Sequence, residues 1–221
     1  PGVAAQGRFA LYGADRATLE ASPGAPVRGF DQRVELATDA SALPADIAAR
    51  HAWRGAGVQL AVADAAAVDR LVTAQVLIVQ EDAAGRVQQA THLQWAGHHD
   101  DRFAAAEAEN GLGAHTDGAA TTFRLFAPGA QAVSVCLYDT AQAPARRRAE
   151  LARDPATGIW SATEPADLHG RFYTYLVDVA VRGVGLVRNR VTDPYAVGLS
   201  ADSKRAAVLD LDRPDTRPEG W

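Results

Sequence analysis

Short apolar stretches separated by polar turns run the length of the chain, and most alternate with a period of two rather than 3.6. Arg8-Phe9-Ala10-Leu11-Tyr12 reads as a strand stopped at Gly13. Arg33-Val34-Glu35-Leu36 alternates as a half-buried strand does, and Val58, Leu60 and Val62 repeat the pattern. Two short helices are interposed. Pro44 suits a first helical turn and opens one through Ile47 and Ala48. Asp64 caps another, whose Val68, Leu71 and Val72 share a face. The clearest hairpin follows: Val76-Leu77-Ile78-Val79 as a buried strand, Glu81-Asp82-Ala83-Ala84-Gly85 as its turn, and a return over 87–95. Residues 104–109 suit one or two helical turns, ended by Asn110-Gly111.

From His115-Thr116-Asp117-Gly118, read as a polar turn, the pattern becomes more regularly β. Strands are expected over 122–126, closed by Ala127-Pro128-Gly129, and over 133–138, 158–162, 172–179 and 206–211. In 172–179, Tyr173, Tyr175, Val177 and Val179 face one way. Short strands with turn signals at this spacing predict antiparallel sandwiches. The expected fold is therefore mainly β: two β-sandwich, immunoglobulin-like domains, the first with short helices inserted. Residues 1–117 make the first, 118–211 the second, and 212–221 a Pro-rich linker.

Composition narrows the partners. A chain of 221 residues accommodates two sandwich-sized domains, and 48% hydrophobic residues supply two real cores. Lys plus Arg number 22 against 27 Asp plus Glu, a net charge of -5, which gives no basic footprint for nucleic acid. Arg146, Arg147 and Arg148 are the one arginine run and fall in an expected hairpin loop. Cys136 is the sole cysteine, so no intrachain disulfide is available, and its strand context predicts a buried, inert thiol. No apolar run reaches bilayer-spanning length, so no membrane partner is expected. The chain opens on Pro1 and lacks methionine, as a processed or excised piece would.

Candidate chemistry is sparse. His98-His99-Asp100-Asp101 is the densest group of potential ligands, but adjacent side chains diverge and no second His or Cys group stands at metal-site spacing. A solvated loop is the expectation there, with no metal. Cys136 lacks the base and exposure a nucleophile needs. Glycoside hydrolysis needs two carboxylates across one scissile bond, and none here sits in a catalytic sequence context. Gly183-Val184-Gly185 joins two β segments and opens no helix, which fails the phosphate-loop context. No catalytic residue and no cofactor are expected. Aromatic faces remain for stacking on sugars: Trp53, Trp95, Trp160 and Trp221. Trp95, at the end of the hairpin return, and Trp160, mid-strand after Thr157-Gly158, are the carbohydrate-binding candidates. Core packing is the competing role for Trp160.

An ordered series in the second half carries a resemblance. Phe123-Arg124-Leu125-Phe126-Ala127-Pro128-Gly129, then Arg153-Asp154, Thr157-Gly158-Ile159-Trp160, Gly170-Arg171-Phe172-Tyr173-Thr174-Tyr175, Thr192-Asp193-Pro194-Tyr195-Ala196 and Leu199-Ser200-Ala201-Asp202-Ser203 follow one another. Together they resemble the isoamylase-N-terminal type of carbohydrate-binding module, family 48, over about residues 121–211. In the first half, Arg8-Phe9-Ala10-Leu11-Tyr12, Leu43-Pro44, the hairpin into Ala90-Thr91-His92-Leu93-Gln94 and Asp100-Asp101-Arg102-Phe103-Ala104 are similar to the domain preceding that module in type I pullulanases and limit dextrinases. The tail Arg217-Pro218-Glu219-Gly220-Trp221 resembles the lead-in to their catalytic barrel.

The resemblance implies an accessory region of a debranching enzyme. Its partners would be an α-glucan, reached through the parent enzyme, and the barrel beyond this chain. Asp193, Pro194 and Tyr195 would dock on that barrel. It also favours a secreted or periplasmic setting over a cytoplasmic one. Three departures stand out. Ala96-Gly97-His98-His99 replaces the usual Pro-Gly-Val-Leu, and the strand that relatives place ahead of Arg8 is missing. Arg190 and Thr174 occupy the positions where starch-binding members carry tryptophan and lysine. Two other readings stay open: an autonomous α-glucan-binding module, and an immunoglobulin-like pair that binds protein.

Overall fold

In the first unit one strand is apolar along almost its whole length because it is the centre of the sheet. Strand β1 (Arg8–Ala14) pairs antiparallel with β2 (Gln32–Asp39) on one side and β4 (Gln75–Glu81) on the other, with Leu11 opposite both Val34 and Ile78. A strand flanked on both edges and covered on both faces has no polar side to present. The sheet is completed by β3 (Gln59–Val62) and β5 (Val87–His92) in the order β3-β2-β1-β4-β5. Ala10, Tyr12, Leu77 and Val79 pack on one face with Val27 and Val87. Helices α1 (Ala45–Arg50) and α2 (Ala65–Asp69) are inserted as expected, and the Asp64 carboxylate caps α2 by accepting from the Ala66 N–H at 3.0 Å. The structure is a computed structural model that describes residues 7–39, 41, 43–50, 52, 59–217 and 220; Trp53, Val58 and Trp221 lie outside the described residues.

The chain divides into two compact units, residues up to 94 with 180–186, and 95–179 with 187–221. Two expectations for the first unit need correction. Glu81 belongs to β4 rather than to the turn, and is only 2% exposed. It is tolerated there because Tyr12 Oη donates to one carboxylate oxygen and Arg33 pairs with the other at 2.9 Å. The return strand ends at His92, so Trp95 is not on it.

The second unit holds two antiparallel sheets. One has the order β10-β11-β7-β6, from β6 (Gly113–Thr116), β7 (Thr121–Phe126), β10 (Ala152–Arg153) and β11 (Ile159–Glu164). The other has the order β13-β12-β8-β9, from β8 (Ala132–Tyr138), β9 (Ala145–Glu150), β12 (Phe172–Val181) and β13 (Gly185–Val191), with β14 (Ala206–Ala207) also on β12. Phe123, Leu125, Val135, Trp160, Tyr173 and Tyr175 form the heart of its core. Period-two alternation produces this directly. Val133, Val135 and Leu137 enter the core, while Ser134, Cys136 and Tyr138 lie on the opposite face of the sheet, where they too are buried.

Three boundaries differ from expectation. His115 and Thr116 lie in β6, opposite Thr122 and Thr121, and the turn starts at Asp117, whose carboxylate accepts from the N–H groups of Ala119 and Ala120. The arginine run 146–148 is edge strand β9 rather than loop, because Val135 pairs with Ala149 and carries the charged residues along. The last strand is only Ala206–Ala207.

Candidate interaction surface

Residues 193–199 follow β13 through a turn at Pro194 and Tyr195 and a bend at Val197, and their side chains alternate by size. Ala196 and Gly198 are partly covered, whereas Tyr195, Val197 and Leu199 are 40%, 59% and 50% exposed. A solvent-facing strand ordinarily places its large apolar side chains inwards. Here the chain is fixed in the opposite sense. Gly198 accepts from the Ala207 N–H at 2.8 Å, and a Cβ at Gly198 would come within 2.4 Å of Leu209 Cδ1. Only a glycine lets the segment lie this close to residues 207–209. Pro194 is exposed at the head of the strip.

Asp193 anchors that head. It is 4% exposed, and one carboxylate oxygen accepts from the Tyr173 hydroxyl at 2.7 Å while the other accepts from the Tyr195 backbone N–H at 2.8 Å. Burial pushes its carboxyl above the usual range, and these hydrogen bonds pull partly back. Burial and then the neighbouring Asp193 charge raise the Tyr173 phenol in turn. The predicted docking residues are thus brought together. Asp193 lies in the core side of the turn, while Pro194 and Tyr195 are presented outside it.

Next to Tyr195 lies a recess of about 360 Å³ bordered by His99, Phe103, Leu112 and Phe126, with the carboxylates of Asp100 and Glu107. His98-His99-Asp100-Asp101 was expected to be a solvated loop and is instead part of helix α3 (Ala96–Arg102), while the helical turn expected over 104–109 is a 3-10 turn (Ala104–Ala108). Trp95, His99 and Phe103 recur every four residues and form one continuous helix face. The Trp95 and His99 rings stack at 5.9 Å and 4°, and His99 and Phe103 lie 5.9 Å apart. Phe103 is 4% exposed, with the Arg153 guanidinium 5.4 Å from its ring. Gly158 closes the packing: at φ +68° it turns the chain where a Cβ would sit 3.1 Å from Phe103 Cδ1. The four-residue spacing 95/99/103 is the signal that identifies this helix in the sequence.

The two sugar-stacking candidates occupy different settings. Trp160 is 7% exposed, lies in the core of the second unit and donates its indole N–H to the Ala127 carbonyl at 2.9 Å. Burial leaves its ring without a face for a sugar. Trp95 is half-buried at the start of α3, packed on both histidines. Thr174 is 1% exposed and its hydroxyl pairs with that of Tyr138 at 3.0 Å. Among the described residues no group of three or more His, Cys, Asp or Glu side chains is placed to hold a metal ion. No helix among them is long and apolar enough to cross a membrane.

Known families and proteins match most of the chain. The Pullulanase N2 domain matches residues 1–101, and carbohydrate-binding module 48, the isoamylase N-terminal domain, matches 111–196. The chain is 33% identical over 196 residues to chloroplastic pullulanase 1 of Arabidopsis thaliana, covering 88% of this chain and 20% of that protein. Against a pullulanase of Klebsiella pneumoniae it is 35% identical over 159 residues, covering 72% and 14%. The crystal structure of apo pullulanase from Klebsiella pneumoniae matches 100% of the chain with a TM-score of 0.85 at 30% identity, and 23% of that chain is covered. This chain therefore spans a fifth or less of the curated relatives it matches.

Proposed function

The chain carries a Pullulanase N2 domain followed by a carbohydrate-binding module 48 and is homologous to the N-terminal region of pullulanases, and from that premise we propose that it is the non-catalytic accessory region of a debranching enzyme. The parent would act on the α-1,6 branches of starch, glycogen or pullulan. This region would scaffold a catalytic barrel outside the chain, and α-glucan would be its partner through that parent.

One observation supports the docking reading: an outward apolar strip held at its head by Asp193 and along its length by the Gly198–Ala207 hydrogen bond. Covering the exposed halves of Tyr195, Val197 and Leu199 would contribute about 2–4 kcal/mol, from roughly 1.5–3 kcal/mol per fully buried large side chain. Asp193 fixes the backbone before the partner arrives, so little ordering entropy is spent on association.

The test uses the full-length parent. Charged substitutions Val197→Asp and Leu199→Asp, at side chains 59% and 50% exposed, should leave the isolated region's unfolding unchanged. In the parent they should lower the unfolding temperature and speed limited proteolysis near the region's end. Identical behaviour of variant and wild-type parent would refute docking through this strip. A titration of the isolated region with maltoheptaose or β-cyclodextrin tests the alternative of autonomous glucan binding, which a saturable response would favour.

A further inference from the structure

We propose that the turn leaving β8 is an anion site for a doubly charged phosphate, free or as the monoester of a sugar. Three guanidiniums from three separate elements converge there. Arg146, on β9, reaches Asp139 at 3.6 Å. Arg171, just before β12, lies 3.3 Å from the same carboxylate oxygen and donates to the Asp139 carbonyl at 3.2 Å. Arg205, just before β14, donates to the Thr140 carbonyl at 2.8 Å, with its guanidinium carbon 3.6 Å from the Tyr138 ring centroid. Only Arg146 comes from the arginine run along the chain; Arg171 and Arg205 lie 25 or more residues further on and are brought to the same turn by the fold.

The charge count singles the turn out. Three arginines face one aspartate, which leaves two positive charges, in a chain whose net charge is -5. Elsewhere on the same sheet face the pairing is one to one: Arg148 with Glu150 at 3.0 Å and Arg188 with Asp178 at 2.7 Å. Clustered like charges repel, and surface ion pairs repay little of that cost. Each of the three guanidiniums engages a single nitrogen in the contacts described, Nε of Arg146 and one terminal nitrogen of Arg171 and of Arg205, so the other N–H donors remain available to an anion.

The ligand chemistry follows from that geometry. Planar guanidinium forks match phosphate oxygens in bidentate fashion, and stacking on Tyr138 together with the Thr140 carbonyl holds Arg205 ready. A phosphate monoester carries about -1.5 to -2 charges at pH 7, which balances the surplus; a single carboxylate would balance half of it. A longer polyanion running along the face would meet the carboxylates of Glu150 and Asp178.

The experiment follows arginine Nε–H signals of this chain by NMR during titration with inorganic phosphate, glucose 6-phosphate and glucose. Both phosphates should shift the Arg146, Arg171 and Arg205 signals along one saturable 1:1 curve, and glucose should shift none. Tighter binding of glucose 6-phosphate would assign the site to a sugar ester, and equal binding to free phosphate. Arg171→Gln and, independently, Arg146→Gln should each weaken binding roughly tenfold. Arg146 is 51% exposed along its side chain, so its loss leaves the fold intact. Arg148→Gln should leave the affinity unchanged. Unsaturable shifts spread over many arginines, or equal affinity in wild type and both site variants, would overturn the proposal.

Discussion

Asp193 sets the geometry of the strip, and its removal should be measurable in the isolated region. Asp193→Ala deletes two hydrogen bonds to a carboxylate, from the Tyr173 hydroxyl at 2.7 Å and the Tyr195 N–H at 2.8 Å. Hydrogen bonds to charged groups contribute roughly 1.5–3 kcal/mol each. The offset is the relief of holding a carboxylate at 4% exposure, which is also why burial raises its pKa. Tyr173, 0% exposed, is then left with a hydroxyl it cannot turn to water. The balance is a loss of about 2–4 kcal/mol. Asp193→Asn keeps the shape and one acceptor and should cost about half as much. The pH dependence has a definite sign. A carboxyl whose folded pKa lies above its ordinary 3.8 contributes stability that is fully present below that value and is lost as pH rises through the folded one. The stability gap between wild type and Asp193→Asn should therefore widen as pH falls from neutral towards 4. Urea unfolding followed by tryptophan fluorescence at several pH values reads both effects. A cost below about 1 kcal/mol for Asp193→Ala, or a gap that narrows on acidification, would refute the anchoring role.

Trp160→Ala should destabilise the second unit by about 3–5 kcal/mol, because it empties a core position and removes one of the two N–H donors to the Ala127 carbonyl; denaturant midpoints check this. Gly158→Ala forces φ +68° on a residue with a Cβ and presses it against Phe103, so about 1–2 kcal/mol should be lost, with altered Trp95 emission as the α3 face loosens. The Asp167 carboxyl is held down at about 2 by the His169 N–H, Arg213 and Thr116. Its contribution is present above pH 3.8 and disappears as pH falls through about 2, so acid titrations of wild type and Asp167→Asn should converge there.

Strand positions were legible in the sequence wherever one face is buried. β7, β8 and β12 alternate, and each lies on its expected residues, with Phe123, Val135 and Tyr173 turned to the core. Helix α2 was equally legible through its Asp64 cap. Errors arose where a local signal was polar but a distant partner decided the outcome. Glu81 reads as a turn residue until Tyr12 and Arg33 are seen across the sheet. The arginine run reads as loop until β8 is laid beside it. His98-His99-Asp100-Asp101 looks solvated by composition, yet its histidines belong to the helix carrying Trp95 and Phe103. At the proposed interaction surface, Asp193, Pro194 and Tyr195 are marked by family resemblance rather than by physics, and the wall formed by α3 has its signal only in the 95/99/103 spacing.

The remainder of the strip shows a limit inherent in periodicity. Tyr195-Ala196-Val197-Gly198-Leu199 alternates large and small apolar residues, and such a pattern defines two faces without saying which one turns inwards. Burial arguments favour Tyr, Val and Leu inside, because each large side chain removed from water contributes about 1.5–3 kcal/mol. Steric fit decides otherwise. Ala196 packs on the core that holds Tyr173, Tyr175 and Val208, and only a residue without a side chain fits at Gly198 against Ala207 and Leu209. Three large apolar side chains are therefore left outside at a cost the isolated region bears alone. Such a cost is repaid when another surface covers them, which makes the strip, rather than any polar cluster, the feature that calls for a partner.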